Sequence, residues 1–334
     1  MSLMSCIRNN TSLLPYGRTR YLMGTFLSVE VFHAEESEAK EVIERAFNEV
    51  KRVESLLSRF REDSQVYKIN RCAYRKPEAI DEELFYLIQQ CLIFSRKTQG
   101  AFDITVAPLV DLWSQAVRID SVPAETEIAR VLSCVGYQNI ILDKKTQTIS
   151  FKVPLRVDLG AVGKGYALDR VVIILREMGV EKARLNFGGQ IYFFDVSQDK
   201  GEYAAIRDPL CPEKLAVGLV LKNQSLATTA NYERNFAIQG RVYGHILNPL
   251  DGYPCHTEIV SVSAVSSWAL ESDVLSTAAF VLGKDRCGEL LKNMAETLLI
   301  IIRANDKGVE QVTALPEHNL LIKKGEMWEL KDKV

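Results

Sequence analysis

Residues 158 to 169 read Asp-Leu-Gly-Ala-Val-Gly-Lys-Gly-Tyr-Ala-Leu-Asp: a carboxylate, three glycines and a lysine set between an expected strand, Arg156 to Leu159, and an expected helix, Gly163 to Met178. Glycines let backbone N–H groups approach an anion, a helix beginning near Gly163 offers its positive end, and Lys164 adds a full charge. A strand, a glycine-rich bend and a helix in that order suit a phosphate, so a nucleotide is the first candidate ligand. The segment is not a Walker loop. Gly160-Ala-Val-Gly163-Lys164 lacks the four-residue gap between glycines, and Gly165 stands where Ser or Thr would hold magnesium. The ligands of any metal must therefore come from elsewhere in the chain.

The rest of the chain supplies enough apolar surface for a large core. Of 334 residues 47% are hydrophobic and 25% charged, as in ordinary globular proteins. Balanced charge, 41 basic against 43 acidic residues, lacks the basic excess of a nucleic-acid binder. No apolar run approaches the roughly 20 residues that span a bilayer. The first ten residues show no basic segment followed by an apolar one, so no secretory signal is visible. Seven cysteines with no C-x-x-C pair disfavour a disulfide framework or a zinc knuckle. These features point to the cytoplasm for the chain as given. A trimmed signal would instead allow a location outside the cytoplasm.

Hydrophobic periodicity gives the element order. Tyr21 to Phe32 reads as one strand, and Glu36 to Leu57 as an amphipathic helix. Further helices are expected from Asp81 to Thr98 and from Ala124 to Cys134, with a single turn at Pro108 to Trp113 and a hairpin over 139–151. The second half is richer in strands: 183–185, 190–194, 203–207, 215–221, 236–239, 259–266 and an apolar inner strand at 297–303, with helices at 268–282 and 286–294. Hairpins mixed with helices predict an α+β fold rather than a doubly wound parallel sheet. With no low-complexity linker, the expectation is an N-terminal tail (1–19) and a single domain (20–330) of two joined lobes.

Several side chains are suited to chemistry. Asp273 and Thr277, four residues apart, share one face of a helix and offer hard oxygens for magnesium, although a solvated or capping pair would read the same way. His245 lies on a loop rich in Asn, Pro and Gly and suits a general base, although a packing histidine looks identical in sequence. Asn186-Phe-Gly-Gly189 is either a second close backbone approach to a ligand or an ordinary tight turn. Phe60 and Phe102 read by default as core aromatics.

Taken in order, Met23-Gly-Thr, Ser58-Arg-Phe with Asp63-Ser64, Gly100-Ala-Phe-Asp103, Asp158 to Gly165, Asn186-Phe-Gly-Gly, His245-Ile-Leu-Asn-Pro and Ser272-Asp-Val-Leu-Ser-Thr277 resemble the ApbE family, FAD:protein FMN transferases formerly called thiamine biosynthesis lipoproteins. The resemblance implies a T-fold-like domain whose active site lies in a cleft between two lobes. It also implies a magnesium-dependent reaction that splits FAD, passes FMN to a Thr or Ser hydroxyl of an acceptor protein of a redox complex, and releases AMP. By the same resemblance Asp273, Thr277 and the Ala161 carbonyl match magnesium ligands, and Met23, Phe60, Ala101, Phe102, Asp103, Asp158, Lys164 and Leu247 match FAD-contacting positions. His245 matches the proposed base, with Asp273 grouped beside it as catalytic. Two departures stand out: Ala227-Thr-Thr-Ala230 replaces a common Thr-Ser-Gly, and Gln190 replaces an aspartate that often follows the paired glycines. The family's lipobox is also missing. The competing readings are a magnesium-dependent FAD pyrophosphatase, with water in place of the acceptor hydroxyl, and a non-catalytic FAD-binding protein.

Overall fold

The computed structural model describes residues 13–197, 200–231, 235–294, 297–305, 308–316, 321–324 and 327–330. Most of the expected tail, together with Tyr232 and His318, lies outside these residues. The chain opens with a hairpin rather than one strand: β1 (Leu14–Leu22) turns at Met23-Gly24 into β2 (Thr25–His33). Both turn residues have positive φ, 49° at Met23 and 78° at Gly24, and a methionine in that conformation leaves no turn signature in sequence. Next comes α1 (Glu36–Leu57), whose buried face is Ala39, Val42, Ile43, Ala46, Phe47, Val50, Val53 and Leu57. Ser64 caps α2 (Gln65–Cys72) by accepting from Tyr67 N, and after β3 (Glu78–Ala79), Asp81 caps α3 (Glu82–Lys97) by accepting from Leu84 N.

Where sequence predicted a single turn, α4 runs over Ala107–Ile119, with Pro108 in its first turn, and α5 (Glu125–Leu132) follows. The hairpin β4 (Ile140–Asp143) and β5 (Thr148–Phe151) forms as expected. Residues 156–159 do not form the predicted strand: beyond an isolated bridge from Arg156 to Val106 and an Asp158 N to Ile104 O bond of 2.7 Å, the Val157 N–H and carbonyl are taken by the Asn70 side chain at 2.7 and 2.9 Å rather than by a neighbouring strand. Beyond them lie α6 (Gly163–Glu177), β6 (Lys182–Phe187), β7 (Gln190–Asp195), β8 (Glu202–Arg207), β9 (Leu215–Leu221), β10 (Gln224–Ala230), β11 (Asn235–Ile238), β12 (Arg241–Gly244), β13 (Ile259–Ser266), α7 (Ala269–Leu282), α8 (Lys284–Leu290), β14 (Leu298–Asn305), β15 (Gly308–Leu315), β16 (Leu321–Lys324) and β17 (Met327–Leu330).

The frame is an eight-stranded antiparallel sheet in the order β1-β2-β6-β7-β10-β13-β14-β15. Helix α6 packs against both α1 and α7, while α1 lies against β2 and α7 against β10 and β13. A four-stranded sheet, β16-β17-β9-β8, forms a second core with the same large sheet. That arrangement explains why β14 is apolar along its length: Leu299 and Ile301 enter the helix-side core, while Leu298, Ile300 and Ile302 enter the other. The class is mixed α+β, as the element order predicts.

Candidate active site at two helix N-termini

The glycine-rich segment places the start of α6 against the start of α7. Neither helix has a side-chain cap of its own, since Val162 and Trp268 occupy the cap positions. Each is capped by a carboxylate from the other. Asp273 of α7 accepts from Gly165 N at 3.2 Å, and Asp169 of α6 accepts from Ala269 N at 2.8 Å and Leu270 N at 2.9 Å. Contact this close requires glycine at 165, where a Cβ would stand 2.4 Å from the Ala269 carbonyl oxygen.

Asp273 is the chemical centre of this junction. It is only 8% exposed, and its Oδ2 faces Lys164 Nζ at 3.5 Å as well as Gly165 N. Burial pushes its pKa above the usual carboxylate value, and Lys164 opposes that shift. Among the described residues Oδ1 has no hydrogen-bond or ion-pair partner. One turn on, the half-buried Thr277 donates to the Asp273 carbonyl at 3.2 Å, and its Oγ1 lies 3.2 Å from Thr229 Oγ1. Asp169 is pushed up to about 7 by burial, with the Leu270 and Ala269 N–H groups holding it down.

Other predicted positions gather around this pair through neighbouring elements. The Met23 methyl lies over the Gly163 α-carbon, and Met23 N donates to Glu54 Oε1 at 3.0 Å, which fixes the β1–β2 turn beside α6. The β6–β7 turn packs there too, because a Cβ on Gly188 would meet Thr25 Cγ2 at 2.7 Å. Gln190 is buried behind α7, donating to the Ala269 carbonyl at 2.8 Å, while its own Oε1 is unpaired. Ala161 is exposed in the turn that leads into α6.

Asp158 accepts from Gly160 N at 2.8 Å and pairs with Arg59 Nε at 2.8 Å. Phe60 is not a core aromatic, being 75% exposed. Ala101 and Phe102 are buried, and Asp103 directs its carboxylate inward. It accepts from Thr105 N, Thr105 Oγ1 and Tyr137 N at 2.7–2.8 Å, and burial raises its pKa against those bonds.

His245 is exposed just after β12, and Leu247 is half-buried on the same loop. Trp113 of α4 holds this loop from both sides. Its indole N–H donates to Gly252 O at 2.8 Å, and its ring lies 5.7 Å from Tyr243 and 6.2 Å from Tyr253. Among the described residues no three His, Cys, Asp or Glu side chains gather to hold a metal. Sequence reasoning passed over Asp169, Glu54, Arg59 and Trp113. Asp169 and Arg59 lie within recognised segments, 158–169 and Ser58-Arg-Phe60, but none of the four has a spacing that reveals its partner.

The mixed α+β frame is shared by solved ApbE proteins. The ApbE protein of Thermotoga maritima MSB8 superposes with a TM-score of 0.78 at 30% identity, covering 89% of this chain and 97% of that one. The flavinyl transferase ApbE of Pseudomonas stutzeri shares the fold with a TM-score of 0.81 at 23% identity, covering 93% and 97%. In sequence, an FAD:protein FMN transferase of Klebsiella pneumoniae (strain 342) is 33% identical over 293 residues, 87% of this chain and 90% of that protein. The ApbE family profile matches residues 23–302, and the chain belongs to the ApbE family.

Proposed function

We propose that this chain transfers FMN from FAD to a Ser or Thr hydroxyl of an acceptor protein and releases AMP, with a divalent cation as cofactor. The observation that carries the reading is the Asp273 carboxylate, buried between Lys164 and Gly165 N with Oδ1 unpaired among the described residues. The unpaired Oδ1 of Asp273, the Thr277 hydroxyl a turn away and the carbonyl of the exposed Ala161 are hard oxygen donors that fit magnesium. Magnesium held there would neutralise charge on the pyrophosphate as the bond to AMP breaks.

The chain's own groups then divide the remaining work. Lys164 and the N-terminus of α6 attract the phosphates. The exposed Phe60 ring offers a stacking face, and Asp158 a polar contact. The Ala101 to Asp103 segment, with its side chains turned inward, would meet a ligand through its backbone. His245, exposed on its loop, takes the proton from the acceptor hydroxyl as that oxygen attacks phosphorus.

The test is incubation with FAD, magnesium and an acceptor fragment of the Asp-Gly-x-Ser/Thr-Gly-Ala-Thr type. The expected products are an acceptor heavier by one FMN and an equal amount of AMP. Free FMN and AMP at a rate indifferent to acceptor would instead identify a pyrophosphatase. Binding of FAD without either product would identify a carrier.

A further inference from the structure

Arg59 is almost fully enclosed, with 12% of its side chain exposed, and its guanidinium faces three groups at once. Nη1 and Nη2 donate to Asp111 Oδ1 at 3.0 Å, Nε lies 2.8 Å from Asp158 Oδ2, and Cζ sits 4.5 Å from the centre of the Phe60 ring. The Nε contact is at ion-pair distance but off the hydrogen-bond direction, so Nε has no directed acceptor and charge holds the pair. Asp111 is itself fixed from the far side by Arg156 Nη1 at 2.6 Å. One guanidinium thus covers the inner face of an exposed aromatic ring and anchors a carboxylate, and these two groups are the ones the proposed function assigns to FAD.

We infer that Arg59 is a positioning residue for the flavin nucleotide, holding Phe60 and Asp158 in their binding arrangement before the ligand arrives. The inference rests on the proposed function. A planar ring stacked on one face by a guanidinium keeps its other face open and spends less ordering entropy when a second planar ring arrives. The fork geometry matters as much as the charge. Two of its nitrogens converge on Asp111 Oδ1 while it presents a flat surface to Phe60, which a lysine ammonium cannot do.

The test compares full-length wild type, Phe60→Ala, Arg59→Lys and Asp111→Asn by calorimetric titration with FAD in magnesium, by the flavin visible difference spectrum, and by KM and kcat. Arg59→Lys should weaken FAD about tenfold and diminish the difference spectrum as Phe60→Ala does. Its kcat at saturating FAD should stay within about threefold, with magnesium half-saturation unchanged, because α6 and α7 are untouched. Asp111→Asn loosens Arg59 from behind and should move FAD affinity the same way, so it decides the matter if Arg59→Lys fails to fold. Wild-type affinity and spectrum in Arg59→Lys, beside a weakened Phe60→Ala, would overturn the inference alone. Wild-type affinity in Phe60→Ala would overturn the assignment of Phe60 to FAD, and the inference with it.

Discussion

Replacing Gly165 with Ala tests the junction of α6 and α7 most sharply. The new Cβ would stand 2.4 Å from Ala269 O, 2.8 Å from Ala269 C and 2.9 Å from Leu270 Cα, all backbone atoms that cannot rotate away. An ordinary C···O contact is about 3.3 Å, so the helices must part by roughly 0.9 Å. Overpacking at a buried backbone contact belongs at the upper end of the ~1–3 kcal/mol range, and better helix propensity returns about 1 kcal/mol, leaving a net loss of about 1–2 kcal/mol. The same movement lengthens the 3.2 Å Gly165 N to Asp273 bond and the 3.5 Å Lys164 contact. Displacement of about 1 Å at a reacting centre can cost on the order of a hundredfold in rate. Gly163→Ala is the control, because its Cβ would crowd only the far end of the flexible Met23 side chain, at 2.8 Å, with Leu57 Cδ1 at an ordinary 3.8 Å, and its stability should be equal or slightly improved. Urea unfolding and kcat/KM for FMN transfer measure both effects. A Gly165→Ala protein as stable as Gly163→Ala, transferring FMN at the wild-type rate, would refute the tight helix contact and the positioning argument built on it.

Asp169→Ala should cost about 0.5–2 kcal/mol by uncapping α7. Because the folded pKa of Asp169 is raised to about 7, its ionised form burdens the fold. Wild-type stability should therefore fall relative to Asp169→Asn as pH rises from about 5 to 8 in metal-free buffer, as read from urea midpoints. Glu49 has the opposite sign: Arg52, and then Arg170, hold its pKa down at about 2. Its contribution is full above about pH 4.5 and lost as pH falls toward 2, so Glu49→Gln should flatten the acid limb of the stability profile, less so in high salt.

How much of this was legible in sequence depended on whether a signal was local. The α1 helix shows its whole buried stripe from Ala39 to Leu57, and hydrophobic periodicity places its boundaries where the structure has them. In β10 the inward-facing positions include Ser225 and Thr229, whose hydroxyls bond to Ser272 and Ser276 of α7, and a strand that buries hydroxyls has no apolar alternation to find. The site divides in the same way. The segment around Lys164 announces an anion from its glycines and lysine alone. Asp273 and Thr277 draw meaning from the helix they face, and Arg59 from two aspartates far along the chain. Such roles arise only when the fold brings distant residues together.

In the proposed reaction, paired helix N-termini hold FAD and a cation for transfer through Asp273. Intact mass of an acceptor fragment after incubation with FAD, with magnesium or with a chelator, measures it directly for wild type and Asp273→Asn side by side. Wild type in magnesium should add one FMN per acceptor, and neither wild type with chelator nor Asp273→Asn should add any. A variant that flavinylates the acceptor at the wild-type rate, or a wild type indifferent to the chelator, would contradict it.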